Sequence, residues 1–597
     1  MSSRACDTCR KRKVRCDGVD SSPTENPCFH CRMSGTACQY EQTPKKRGPK
    51  SKRSDASDRL RRTRPSLLSN DHDASPLSGT ASPLPLATSP TYEGQMLAWE
   101  LRVSARTTDL IVSPSLETAV LNARIETIHQ DLVRSIEAID VKNTSWSLDA
   151  TVKRCIDIYM NVIFGIRPIV SEARIRSNLC LKPPNLRTNL NSLRFLSRTM
   201  LSSDTLVDLE RIRSYTLVTA LCAATAYLLS ASDAPEEAVV GPMFLHASRE
   251  MLHIYEHLDV ECPDSSSLVI RMFQAGALHT DGKLRLSWHL FGAALRLGEQ
   301  MQLEDPRSFQ GMDPLEARLR VMAFRTIRIS ARYHRILENH PLSICDPPWS
   351  ALGSLDDEPK ISLMMSSSSW DKPPEYESQL LVAFELFERI WVVASEILMD
   401  LECFVRFDRR DTSVLSTLLE SHQNHFLDPY STFLGLLDQL PPFLHSPESV
   451  KHIRHLDETV TEIQCRQFWI QRANLFVNYH CLRMLILNRF AQYGLTTMIG
   501  VQKTDTMVAL RKTEIAHDMN VFLTNAPIDS LLVNGEACVA KIRYMGATLL
   551  EVIHQVQAPQ VVKRAHSLFS SLLDILTKLD SRASDELISK NHNASIL

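Results

Sequence analysis

Six of the fifteen cysteines of this chain fall between residues 6 and 38, in a pattern that repeats. Cys6, Cys9 and Cys16 are spaced Cys-x2-Cys-x6-Cys, and Cys28, Cys31 and Cys38 restate that spacing after an eleven-residue gap. A Cys-x2-Cys turn aims two thiolates at one metal, and tetrahedral zinc takes four ligands with sulfur at about 2.3 Å. A single four-cysteine ribbon from Cys6, Cys9, Cys28 and Cys31 is the plain alternative, and it leaves the matched Cys16 and Cys38 without a role. Two metals need roughly eight thiolate positions, which six sulfurs fill only if two of them bridge. The duplication favours this binuclear arrangement.

Charge supports the same reading. Two zinc dications against six thiolates leave a net anionic cluster, and Arg10, Lys11, Arg12, Lys13 and Arg15 follow Cys9 at once. The segment after Cys9 is a short helix candidate whose basic side chains can enter a major groove, where Arg and Lys match the O6 and N7 acceptors of guanine. G-rich half-sites are therefore expected. With so small a core, metal binding should supply the folding free energy of residues 1–42.

The run from Ala5 to Gly18, then Pro27-Cys28-Phe29-His30-Cys31, then Cys38-Gln39-Tyr40, resembles the fungal Zn2Cys6 binuclear cluster transcription factors. That resemblance implies bridging by the first and fourth cysteines, Cys6 and Cys28, with Cys9 and Cys16 on one of two Zn2+ ions and Cys31 and Cys38 on the other. It places Pro27, or Pro23, at the inter-half loop proline. It also implies CGG-type triplets in double-stranded promoter DNA, read by Arg12 and Lys13, and leaves Arg10, Lys11, Arg15 and Arg32 as phosphate contacts that add affinity rather than sequence choice. The function so implied is a nuclear, sequence-specific, DNA-binding regulator of RNA polymerase II genes and not an enzyme. Its expected targets are a secondary-metabolite gene cluster or, alternatively, carbon or nutrient catabolism genes.

The rest of the chain must carry and regulate this module. Residues 1–65 hold 17 Lys and Arg against 7 Asp and Glu, a net of +10, which leaves about −12 on the remainder of a chain whose net charge is −2. A basic head on a mildly acidic body is the electrostatic footprint of nucleic-acid binding confined to the head. Residues 43–96 read as a disordered linker, basic first and then Ser/Pro-rich, with Ser75-Pro76, Ser82-Pro83 and Ser89-Pro90 opposing helix. Its basic run, Lys45, Lys46, Arg47, Lys50, Lys52 and Arg53, suits nuclear import first, and also a phosphate strand or a minor-groove arm.

From residue 97 to 597 the periodicity is helical, and 18 glycines in 597 residues argue against a Gly-rich β architecture. The fold class expected is mostly α: a small cysteine domain (1–42), the linker (43–96) and a large all-α regulatory domain (97–597). Breaks are expected near 182–187, 231–242, 304–314, 345–376, 440–449 and 524–529, with 351–376 a flexible surface loop and 355–371 a weak activation-segment candidate. Leu315, Leu319, Met322, Thr326, Ile329, Tyr333 and Ile336 share one helical face, with Asp313-Pro314 as its cap and first turn. Leu121, Ile125, Ile128, Leu132 and Ile139 keep near-heptad spacing, but the register breaks at Ser135, so a packed first helix is preferred over a dimerising zipper.

No P-loop, G-x-S-x-G, G-x-G-x-x-G or H-E-x-x-H occurs in this body. His422-x-x-His425 and His452-x-x-His455 lack a third ligand, and the nine remaining cysteines are scattered as reduced thiols would be. The chain start carries no signal-peptide pattern, and the best apolar run, Tyr215 to Leu229, is too short to span a bilayer, so no membrane partner is expected. Arg167-Pro168-Ile169-Val170, Trp288 to Gly298, Arg328 to Ile344 and Tyr479 to Arg489 are similar to the middle homology region of the same regulators, over about residues 150–500. Asn339-His340-Pro341 stands where Gly-Arg-Pro is common. This likeness implies an all-α domain that senses a partner, such as a coactivator or second copy, or a small-molecule effector; Trp288, Phe291 and Leu295 are read as core.

Overall fold

The computed structural model describes Lys11, Cys31 and residues 114–139, 146–177, 180–190, 201–229, 239–338, 361–365, 374–408, 423–438, 440–452 and 458–579. The chain divides into two compact units, Met1–Arg106 and Thr107–Leu597. Within the first, Lys11 and Cys31 are described and both have helical backbone. The linker expected over 43–96 lies outside the described residues.

No strand occurs among the described residues of the second unit, in keeping with the helical periodicity of its sequence. Its amino-terminal half is built from α1 (Pro114–Glu137), α2 (Leu148–Ile158), α3 (Glu172–Arg176), α4 (Ser203–Leu229), α5 (Gly241–Glu261), α6 (Ser265–Thr280) and α7 (Leu284–Gln300). Next comes α8 (Pro314–Ile336), and then α9 (Pro374–Asp408), α10 (Gln423–Leu434), α11 (Pro442–His445), α12 (Glu458–Gln492), α13 (Asp505–Asn525), α14 (Ile528–Leu532), α15 (Gly535–Gln555) and α16 (Pro559–Lys578). Helix α4 packs on α5 and α6, α12 packs on α9, α13 and α15, and α8 touches both α6 and α9. One continuous hydrophobic core runs through all of them.

Helix α1 settles the choice between packing and a zipper. Leu121, Ile125 and Leu132 are buried against the body, joined by Ile136, and α1 lies on α5. The stripe is therefore spent within the fold. The apolar run that starts at Tyr215 is the second half of α4, buried at Tyr215, Leu217, Val218, Leu221 and Tyr227, and no helix of the described residues is long and apolar enough to cross a membrane.

Helix α8 starts as its sequence predicts: the Asp313 carboxylate accepts the Glu316 amide at 3.0 Å, and Pro314 occupies the first turn. Its predicted face is buried at Leu319, Met322, Thr326 and Ile329, but Arg318, Arg325, Arg328 and Arg332 are buried as well. An amphipathic surface helix would leave these in water. Instead α8 is enclosed, and Arg325 reaches Glu388 of α9 at 3.1 Å while Arg332 reaches Ser395 at 3.0 Å.

The flexible loop expected over 351–376 is corrected in part. Leu363 is 1% exposed, its amide donates to Glu377 at 2.9 Å, and its carbonyl accepts the Glu172 amide at 2.8 Å. The Glu172 carboxylate takes the Met365 amide in turn. Two carboxylates thus supply acceptors that a free surface loop would seek from solvent, and α9 begins at Pro374. The expected activation segment at 355–371 accordingly includes buried residues, Leu363 and Met364.

Most expected breaks coincide with helix ends, at 182–187, 304–314 and 524–529 among them. Others carried too little turn signal to be expected, such as residues 493–504, where Gly494 (φ +69°) and Gly500 (φ +73°) adopt the left-handed backbone that favours glycine.

Candidate functional site

Of the cysteine module, Lys11 is exposed on helical backbone and Cys31 is 1% exposed, also on helical backbone. An exposed basic residue and an enclosed thiol are each what a metal core with a cationic outer face requires. Cys6, Cys9, Cys16, Cys28 and Cys38, the bases Arg10, Arg12, Lys13, Arg15 and Arg32, and the run Lys45, Lys46, Arg47, Lys50, Lys52 and Arg53 lie outside the described residues. The donor set fits zinc on its chemistry: soft thiolates, paired by Cys-x2-Cys turns, with cations at hand for the excess charge.

The body contains a second feature of functional size, a cavity of about 210 Å³ where its two helical halves meet around α8. Several elements converge on it. After α2 the chain passes through a single π-helical turn, Tyr159–Ile163, and then Arg167 faces the cavity. That turn is tied to α12: Gln467 donates to the Met160 carbonyl at 2.6 Å, and Gln471 to the Gly165 carbonyl at 2.7 Å. Phe291 comes from α7, Tyr333 and His334 from α8, Trp391 from α9, and Asn474 and Asn478 from α12. Helix α15 enters through Gly535, whose φ of +64° and whose approach to Leu228 both disfavour a side chain there, and it presents Lys541.

The electrostatics around this cavity are uneven. Lys541 is 4% exposed, and burial holds its ammonium below the usual lysine range against the weaker pull of Cys481, Cys538 and Glu338. Burial also pushes the Cys481 and Cys538 thiols up to about 12, so they stay protonated and neutral. Glu338 receives His279 at 3.3 Å and His334 at 2.6 Å; burial works against its charge, but these hydrogen bonds prevail and hold it well below the ordinary carboxylate range.

The family model for the fungal Zn(2)-Cys(6) binuclear cluster domain matches residues 4–47. This segment is such a domain. The binuclear cluster domain binds two zinc ions through six cysteines. Similar proteins include the glucose transport transcription regulator RGT1 of Kluyveromyces lactis, 50% identical over 50 residues, which are 8% of this chain and 5% of that one. The xylanolytic transcriptional activator xlnR of Neosartorya fischeri is 38% identical over 84 residues, 14% of this chain and 8% of its own. RGT1 of Saccharomyces cerevisiae is 45% identical over 47 residues, 8% of this chain and 4% of its own. The chain thus matches less than a tenth of the length of these relatives. The relatives are transcription regulators and not enzymes by name.

Within the body, the four segments noted for their likeness to a middle homology region come together unevenly. Arg167, Phe291 and Tyr333 all reach the cavity, whereas Tyr479 and His480 do not line it. Leu295 is core, as expected; Phe291 is core and cavity wall at once, and the half-buried Trp288 stacks on it at 5.7 Å. His425 is exposed, while His422, His455 and Asn339-His340-Pro341 lie outside the described residues. Among the described residues no cluster of His, Cys, Asp and Glu could hold a metal ion.

Lys541 was missed by sequence reading, and a signal existed. It stands one turn from Cys538 and from Met545, both buried, so a charge interrupts an otherwise buried stripe of α15.

Proposed function

We propose that this protein is a nuclear, sequence-specific DNA-binding regulator of RNA polymerase II transcription that holds CGG-type sites through its binuclear cluster domain. The observation that carries the reading is the match of residues 4–47 to that domain, with every cysteine of the duplicated pattern inside the matched span. Cys6, Cys9, Cys16, Cys28, Cys31 and Cys38 would hold the two zinc ions between them, and the metal would supply a rigid core for the basic residues rather than chemistry on DNA. Arg12 and Lys13 read guanine edges, and Arg10, Lys11, Arg15 and Arg32 engage phosphates. The basic run from Lys45 to Arg53 serves nuclear import.

Selection from random duplexes by the zinc-loaded full chain tests this. Enrichment of CGG triplets that disappears on chelation is expected, and recovery of no motif refutes sequence-specific reading.

For the pathway, we propose a secondary-metabolite gene cluster as the target. A second reading, carbon-source genes, is favoured by the names of the relatives, which refer to glucose transport and xylanolysis. Genome-wide occupancy with expression change on deletion separates the two.

A further inference from the structure

The cavity carries two cations that the described residues do not neutralise. Lys541 donates to the Ala537 carbonyl at 2.9 Å, one turn back on its own helix, and its ammonium lies 4.7 Å from the Tyr333 ring centre and 6.0 Å from that of Trp391. An ammonium has three protons to donate, and among the described residues no carboxylate lies within ion-pair distance of this one. Arg167 is half-buried, and its guanidinium has neither a carboxylate nor a hydrogen-bond acceptor among the described residues.

The nearby acids do not fill this role. Glu338 is engaged by His279 and His334, and Glu536, at the start of α15, is exposed. A buried cation without a counter-charge is costly and is retained where something pairs with it. The wall also carries the rings of Phe291, Phe384 and Trp391 and the amides of Asn474 and Asn478, with aliphatic side chains between them and Glu536 as its one carboxylate among the lining residues. The volume, about 210 Å³, exceeds the ~150 Å³ that accommodates benzene in an apolar cavity.

We propose that this cavity is a binding site for a small aromatic carboxylate, whose carboxylate pairs with Lys541 and Arg167 and whose ring lies against Phe291, Phe384 and Trp391. The site converts ligand binding into a tie between the two halves of the body, because Arg167 follows α2 and Lys541 belongs to α15. The inference goes beyond the DNA-binding reading and does not depend on it.

The test is calorimetry and thermal unfolding of the zinc-loaded full chain with benzoate, phenylacetate and 4-hydroxybenzoate, against benzamide, benzyl alcohol and chloride. At least one carboxylate is expected to bind and to raise the melting temperature with concentration, while the neutral analogues and chloride do not. Lys541→Met should weaken that binding by more than about tenfold and yet raise the melting temperature of the unliganded protein, because it removes a buried charge that lacks a partner. Lys512→Met, in a separate groove, should leave binding intact. If Lys541→Met does not fold, Arg167→Met carries the same test. Binding of no carboxylate, equal binding of benzamide, or wild-type affinity in the cavity variants each overturns the proposal. Mobility shift of a CGG duplex by the same preparations reads the DNA-binding function separately.

Discussion

At the scale of single residues, charge placement decides what each basic side chain does. On the DNA face, removal of a base-reading residue should act differently from removal of a phosphate contact. Lys13→Ala is expected to cost about 1–3 kcal/mol on the preferred triplet and to flatten the selected motif, whereas Arg32→Ala should weaken all sequences alike; comparative selection with both variants checks the division. In the body, Asp259 is fully buried between two arginines: Arg213 Nε lies 2.7 Å from it, Arg271 donates to its other oxygen, and the Ser267 hydroxyl donates at 2.7 Å. Burial would raise its pKa, but Arg213 and Arg271 override burial and hold it below the ordinary carboxylate value. Asp259→Ala leaves two buried guanidinium groups without this partner and should destabilise the body by about 3–5 kcal/mol in urea unfolding. Because the folded value is the lower one, the contribution of Asp259 is fully present above about pH 4 and is lost as pH falls through that depressed value. A melting series in acid should show the wild type approaching the variant.

At the scale of elements, helix ends were legible where a cap is a local event. Asp313-Pro314 announced the start of α8 because an N-cap needs only one side chain and the amides just after it. Asp313→Ala should cost about 1 kcal/mol, read as a lower denaturation midpoint with an unchanged slope. The interior of the same helix was less legible. Arg318, Arg325 and Arg332 recur at seven-residue steps, and α9 meets the last two with Glu388 and Ser395 at the same interval. Periodicity within one helix cannot show what the facing helix supplies. The expected loop at 351–376 failed for the same reason, since Glu172 lies almost two hundred residues from the Met365 amide it accepts.

For the molecule as a whole, the two compact units rest on different physics. The cysteine domain at residues 4–47 is expected to need metal, since a segment of a few tens of residues buries too little apolar surface alone. The second has a continuous hydrophobic core. Chelation of zinc is therefore expected to abolish CGG binding while the cooperative melting of the helical body, followed by circular dichroism, stays in place. Loss of both together would show that the body too depends on the metal.

By itself, the sequence determined the metal chemistry and the helical class of the body. Ligand spacing and apolar period are relations between residues a few positions apart, so backbone geometry alone gives them meaning. The cavity was decided by tertiary structure. Arg167 and Lys541 stand at opposite ends of a long stretch of sequence with Phe291 and Tyr333 between them, and only the packing of α8 and α15 against the earlier helices brings a lysine without a counter-charge, an arginine and a ring-sized space into one place.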